Sequence, residues 1–192
     1  MIPLLMAALL QAAPAAPSPA ATAATDVARM AALYDEICLR TFPDDAALDR
    51  LMAAKKATPL SASDVRIILR DDPGRGWLLH DGAETFTVTL ELPPFHACSV
   101  RAAHSSAGPT DLAPYQRVVA SYAARTGGFS TQPPMELDQS GIHIHGEMQT
   151  RALPNGDHDN LIVVDQRITD PSQLAAGTTS TPLRFVHQIA PR

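Results

Sequence analysis

Apolar residues in the first third of the chain recur at helical spacing. Val27, Met30, Ala31, Tyr34, Ile37 and Cys38 form one stripe, and Thr25 or Asp26 can cap a helix running to about Arg40. PDDAALDRLMAAKK (43–56) predicts a second helix: proline and two aspartates open it, Leu48, Leu51 and Met52 give its apolar face, and two lysines suit its C-terminal dipole. Thr58-Pro59 ends it. VRIIL (65–69) predicts a strand and DDPGRG (71–76) a turn. WLLHDGAETFTVTLEL (77–92) predicts a hairpin around Asp81-Gly82. In its second arm Phe86, Val88, Leu90 and Leu92 alternate with Thr85, Thr87, Thr89 and Glu91.

Beyond the Pro93-Pro94 break, HACSVRA (96–102) predicts another strand, with Cys98, Val100 and Ala102 on one face. A third helix is expected from about Asp111 to Arg125, with Tyr115, Val118, Val119 and Tyr122 as its stripe and Gly127-Gly128 as its stop. QPPMELD then connects to strands near 141–152 and 160–168, joined across Pro154-Asn155-Gly156-Asp157, and LRFVHQI (183–189) is the final strand. Regular βαβ alternation is lacking. The expected class is α+β: a mainly antiparallel sheet packed by two N-terminal helices and one central helix, in a single domain over 26–192.

Composition narrows the function. The 192 residues are 45 % hydrophobic and 18 % charged, which suits one globular domain with a real core. The net charge is −5 and no basic block stands out, so the footprint of a nucleic-acid binder is missing. Residues 1–24 read as a signal peptide and Ala/Pro-rich leader: the apolar run IPLLMAALL, too short to span a bilayer, precedes the small-residue stretch QAAPAAPSPAATAAT. No Lys or Arg precedes that run, which departs from the usual pattern. No further transmembrane segment is expected, and the localisation read from this leader is periplasmic or secreted.

The only two cysteines are Cys38 and Cys98. Their spacing excludes a CxxC redox centre, and two thiols alone make a poor zinc site. In an oxidising compartment an even count reads as a disulfide, here one tying the first helix to the sheet.

GIHIHGEM (141–148) carries the one candidate for metal chemistry. In an extended strand His143, His145 and Glu147 share a face, opposite Ile142, Ile144 and Met148. Two imidazoles and a carboxylate suit Zn, Cu, Ni or Fe, with Asp157, His158, Asp159 or His187 as further ligands. The stretch departs from the cupin His-x-His pattern, because Glu147 lies two residues beyond His145 rather than four or five. DHDN fails as a calcium loop, since Ile162 stands at the glycine position. An ordinary strand with a solvated polar face and Ile/Met toward the core explains the alternation without a ligand, and is preferred. No nucleophile elbow, S-x-x-K pair, H-E-x-x-H helix or P-loop occurs, and no cofactor is implied.

LYDEICLRTFPDDAALDRLMAAKK, GWLLHDG and FHACSVR together resemble a family of small exported alphaproteobacterial proteins of unknown function. Its members carry a helical Cys, a Trp before a hairpin and a second Cys-x-Val strand, matched here by Cys38, Trp77, Cys98 and Val100. The resemblance covers about residues 33–103. It implies export and the Cys38–Cys98 bond, and no activity. The expected function is therefore a non-catalytic envelope domain binding another envelope protein or a small ligand. The alternative is a divalent-metal-binding protein or metal-dependent hydrolase built on His143 and His145. A sheet-edge interaction module is a third reading.

Overall fold

Asp26 starts the first helix, its carboxylate accepting hydrogen bonds from the backbone N–H groups of Ala28 and Arg29. The computed structural model describes residues 25–105, 108–177 and 180–192, so the leader expected over 1–24 lies outside the described residues. Helix α1 (Val27–Tyr34) continues as one π turn (Asp35–Leu39) in which Ile37, Cys38 and Leu39 are all buried. Helix α2 (Asp45–Ala54) follows, capped by Asp44 and burying Leu48 and Met52. Both agree with the apolar spacing of the sequence.

The segment VRIIL is helical, not extended. It closes α3 (Ala62–Leu69), whose cap is Ser61: its hydroxyl accepts from the Asp64 N–H at 3.2 Å. Val65 and Leu69 face inward four residues apart while Ile67 is 77 % exposed, a helical rather than an alternating burial pattern. The cap at Ser61 with Asp64 three residues on decides the state where a short apolar run is ambiguous.

The sheet is antiparallel throughout. In chain order its strands are β1 (Thr58–Pro59), β2 (Gly74–Asp81), β3 (Glu84–Glu91), β4 (His96–Ser105), β5 (Ser130–Thr131), β6 (Met135–Gln139), β7 (Ile142–Ala152), β8 (His158–Ile168) and β9 (Ser180–Ala190). Their spatial order is β1-β2-β3-β4-β9-β8-β7-β5, with β6 also paired to β7. QPPMELD is thus more than a connection: it carries the start of β6, which forms a hairpin with β7. Helix α4 (Ala113–Thr126) and the short α5 (Pro171–Ala175) join β4 to β5 and β8 to β9. The class is α+β as expected, with α3 and α5 in addition to the three expected helices. Among the described residues no helix is long and apolar enough to cross a membrane.

The register assigns the two faces. Trp77, Val88, Cys98, Phe185, Val163 and Leu161 lie on one side, packed by α1, the π turn, α2 and α4 into the main core. Tyr34, Tyr115 and Phe185 meet there with ring centroids 4.6 to 5.8 Å apart, and the Tyr34 hydroxyl donates to the Val186 carbonyl at 2.8 Å. Thr89, Glu91, Ser99, Arg101 and Arg184 lie on the opposite side, which α3 approaches at the β2 end. Gly74 permits that approach: a Cβ there would clash with the Leu69 side chain and sit 2.5 Å from the Leu90 carbonyl oxygen.

Cys38 in the π turn and Cys98 in β4 form the expected disulfide, with Cα atoms 5.5 Å apart across 60 residues of sequence. Closing a loop of that length is worth about 4 kcal/mol in the chain-entropy account. Denaturant unfolding with and without reductant should therefore show the midpoint falling when the bond is opened. A Cys38→Ser/Cys98→Ser variant should unfold at the same low midpoint in both conditions.

Candidate functional site

Beside a buried pair of His104 and Asp165, 2.8 Å apart, three larger polar assemblies stand out among the described residues. The first is the hairpin of β6 and β7, turned by Ser140 (φ 51°) and Gly141 (φ 75°). Pairing sets Glu136 opposite His145 and Asp138 opposite His143. Glu136 reaches both imidazoles: Oε1 is 2.7 Å from His145 Nδ1 and Oε2 is 3.0 Å from His143 Nε2. Asp138 Oδ1 lies 2.8 Å from His143 Nδ1, and Glu147 Oε1 lies 3.3 Å from His145 Nε2. Gln116 of α4 donates to both Glu147 oxygens, at 3.0 and 3.1 Å. All four ring nitrogens thus face carboxylates. Burial opposes the charge on His145, but hydrogen bonds to Glu136 and Glu147 outweigh it and raise its pKa; the His145 hydrogen bond in turn lowers that of Glu136.

His143, His145 and Glu147 do share a face, as expected, but it is the helical side of the sheet, where all three stay half-buried. Through the pairing of Glu147 with Val163 and of Gln149 with Leu161, that face is continuous with the core side under α4. Ile142, Ile144 and Met148 point the other way, the reverse of the predicted orientation. His158 opens β8 nine residues from Arg167, the partner of His143, which is about 30 Å along an extended strand. His187 is buried elsewhere. Among the described residues no group of three or more His, Cys, Asp or Glu side chains is arranged to hold a metal ion.

The second assembly is buried. Asp159 (3 % exposed) accepts from Arg151 at 2.8 Å on one oxygen and meets His187 Nε2 at 2.8 Å on the other. His187 (1 % exposed) turns Nδ1 to the Cys38 carbonyl at 3.2 Å and is enclosed by the rings of Phe42 and Tyr122. The Arg151 guanidinium caps the Phe129 ring at 4.9 Å. Burial disfavours the charge on Asp159, yet hydrogen bonds from His187 and Arg151 prevail and hold its pKa below the ordinary value. With Asp159 and His187 buried and Arg151 at its edge, this group ties β7, β8, β9 and the π turn together. Its signal in the sequence is His187 itself, a polar residue in phase with Leu183 and Phe185.

The third assembly lines a cleft of about 530 Å³ on the opposite face of the sheet. Ile67, Ile68 and Leu69 of α3 form one wall, while Val164, Gln166 and Pro182 of β8 and β9 form the other. Arg101 of β4 and Arg184 of β9, directly paired across the strands, stand between them. Arg70, Asp72 and Glu91 complete the lining. Among the described residues neither Arg101 nor Arg184 has a carboxylate within 4.0 Å. Arg184 Nε is shut off from solvent with no hydrogen-bond partner. Burial and the neighbouring guanidinium groups lower the pKa of both arginines, and burial together with Asp72 raises that of Glu91. No sequence motif marks this site, whose residues are spread from 67 to 184.

Two measurements test these assignments. Asp159→Asn leaves Arg151 without its counter-charge and removes the carboxylate that His187 Nε2 meets, and should cost about 3–5 kcal/mol of stability at neutral pH by denaturant unfolding. Because folding depresses the pKa of Asp159, its contribution is complete above the unfolded value near 4 and is lost as pH falls through the lower folded value. The variant should lack that part of the acid limb. In an NMR titration His145 should hold its proton above the ordinary histidine range, and Glu136→Gln should bring its midpoint down.

In comparisons with protein-family models, curated proteins and solved structures, nothing matches this chain, so the functional reading rests on its own geometry.

Proposed function

We propose that the chain is an exported, disulfide-stapled domain that works by binding rather than catalysis, with the cleft beside α3 as its ligand seat. The observation that carries this reading is the juxtaposition of Arg101 and Arg184 in an open cleft where, among the described residues, neither forms an ion pair within 4.0 Å. A folded protein gains nothing in stability from like charges set directly opposite on neighbouring strands. Binding is a reason to keep them. Guanidinium groups stay protonated throughout the physiological range, so they orient and hold a ligand instead of exchanging protons with it.

The histidines support the same division of labour. His187 is sealed beneath Phe42 and Tyr122, and His143 and His145 are clasped by carboxylates of their own hairpin. Export is supported by the leader pattern over 1–24, and the buried disulfide is compatible with an oxidising compartment.

Cell fractionation of the full chain should recover it outside the cytoplasm, processed within residues 11–25 and with both thiols blocked. Retention in the cytosol with an intact leader contradicts export. Hydrogen exchange with a filtered small-molecule extract of the envelope should show added protection in α3 and on the β3, β4 and β9 positions that line the cleft. Protection confined to other surfaces contradicts the cleft as the seat.

A further inference from the structure

Resting on the reading of the cleft as a ligand seat, we infer that its occupant is an amphiphilic monoanion: a carboxylate or phosphodiester head held by Arg101 and Arg184, on an apolar body lying along α3. The head is specified by the arginine pair. Position 101 faces position 184 across the β4–β9 ladder, so both side chains leave the sheet on the same side from adjacent strands. Two planar guanidinium forks side by side match the oxygens of one carboxylate or phosphate, which each fork can engage bidentately. Arg184 also carries a donor, Nε, that has neither a protein acceptor nor solvent contact. A ligand oxyanion meets the part of the Arg184 side chain that lines the cleft, not the enclosed Nε.

The charge of the occupant follows from the whole lining. Arg70, Arg101 and Arg184 stand against Asp72 and Glu91, leaving a single net positive charge when all five are ionised. Glu91 is buried next to Ala97 and Gly74 on its strand neighbours and sits on the side of the pair toward α3. One negative charge balances such a site, and a multiply charged ligand overfills it against the two carboxylates.

The apolar body is specified by the walls. Ile67 and Ile68 from α3 face Val164 and Pro182 from the sheet, and Ile67 is the most exposed large apolar side chain among the described residues, at 77 %. A helix of this amphipathic kind turns an isoleucine to water at a cost in apolar exposure that a ligand tail removes. The volume of about 530 Å³ suits a small molecule rather than a polymer. The chain's net charge of −5 disfavours a polyanion such as nucleic acid, leaving a local positive pair in an otherwise acidic protein.

Calorimetric titration of the full, disulfide-bonded chain tests this with probes sharing one tail: decanoate, the phosphodiester decyl methyl phosphate, decanol and decyltrimethylammonium, each below its micelle concentration, with acetate and dimethyl phosphate as heads alone. The expected order places one or both decyl anions first, decanol and the isolated heads weaker by about ten-fold or more, and the cation last. Preference between decanoate and the phosphodiester identifies the head. Arg101→Gln and Arg184→Gln should each weaken the preferred anion by about ten- to hundred-fold while leaving circular dichroism unchanged. Arg125→Gln, on the far side of the sheet, should leave it unaffected. If decanol or the cation binds as well as the anions and Ile67→Glu abolishes it, the cleft stands as a seat and the oxyanion assignment falls. If no decyl anion binds, or binding is indifferent to both arginine substitutions, the assignment is overturned whatever the exchange experiment shows.

Discussion

The fold hangs on where the π turn meets the sheet. Cys38 is bonded there to Cys98 of β4, its carbonyl faces His187 Nδ1 of β9, and Tyr34, one turn earlier, donates to the Val186 carbonyl of the same strand. Three ties, one covalent and two hydrogen-bonded, thus converge on two adjacent central strands. β9 is the last strand of the chain, yet it sits between β4 and β8. The two halves of the sheet, β1–β4 and β5–β8, become one only when it docks. Anchoring the helical layer to β4 and β9 together places the covalent bond and the buried hydrogen bonds at the seam where the sheet is completed.

That anchoring also settles which face stays open. Helices α1, α2 and α4 crowd the side bearing Cys98 and Phe185, so the opposite face carries Thr89, Ser99, Arg101 and Arg184 with α3 at one flank. The arginines on the two sides differ in their partners. On the helical side Arg75 engages Asp49 through two contacts of 2.8 Å, Arg151 holds Asp159, and Arg29 pairs with Asp81. On the open side Arg101 and Arg184 face each other. Two such charges held at the ~5 Å cross-strand Cβ spacing repel by at most about 3 kcal/mol at an effective dielectric of ~20, and less as their long side chains splay into solvent. This is a tolerable penalty for a chain with a full core and a disulfide, and it falls on the face that α1, α2 and α4 leave uncovered.

Much of the fold is legible in the sequence, and the places where it is not have distinct causes. The stripe from Met30 to Cys38, the alternation from Thr85 to Leu92 and the Gly127 stop all follow one period long enough to identify an element. The disulfide follows from cysteine count and burial phase. VRIIL misleads because five residues cannot separate a period of 2 from one of 3.6, and the decisive feature is the cap at Ser61 just upstream. QPPMELD reads as a connection because its prolines precede a strand of only five residues, exposed along its whole length. The histidine pair of β7 suggests metal chemistry as long as its partners are hidden: Glu136 and Asp138 lie in that same ambiguous segment and reach His143 and His145 only once the hairpin forms.

Alternation within one strand gives two faces but not their sides, and here the side is inherited through register. β7 presents isoleucines on one face and histidines on the other, so hydrophobicity alone favours the isoleucines as the inner set. The neighbouring strand β8 decides otherwise, because its Leu161 and Val163 are wholly buried and pair with Gln149 and Glu147. The same inheritance produces the arginine pair. Arg101 lies between Val100 and Ala102, and Arg184 between Leu183 and Phe185; all four flanking residues are core. Each arginine must therefore leave the sheet on the open side. Once β4 pairs with β9 so that Val100 meets Phe185 and Ala102 meets Leu183, the two arginines between them have no position left except opposite one another. The packing of the core fixes the spacing of the charges on the reverse side, so the cleft chemistry is a consequence of the same register that buries the disulfide.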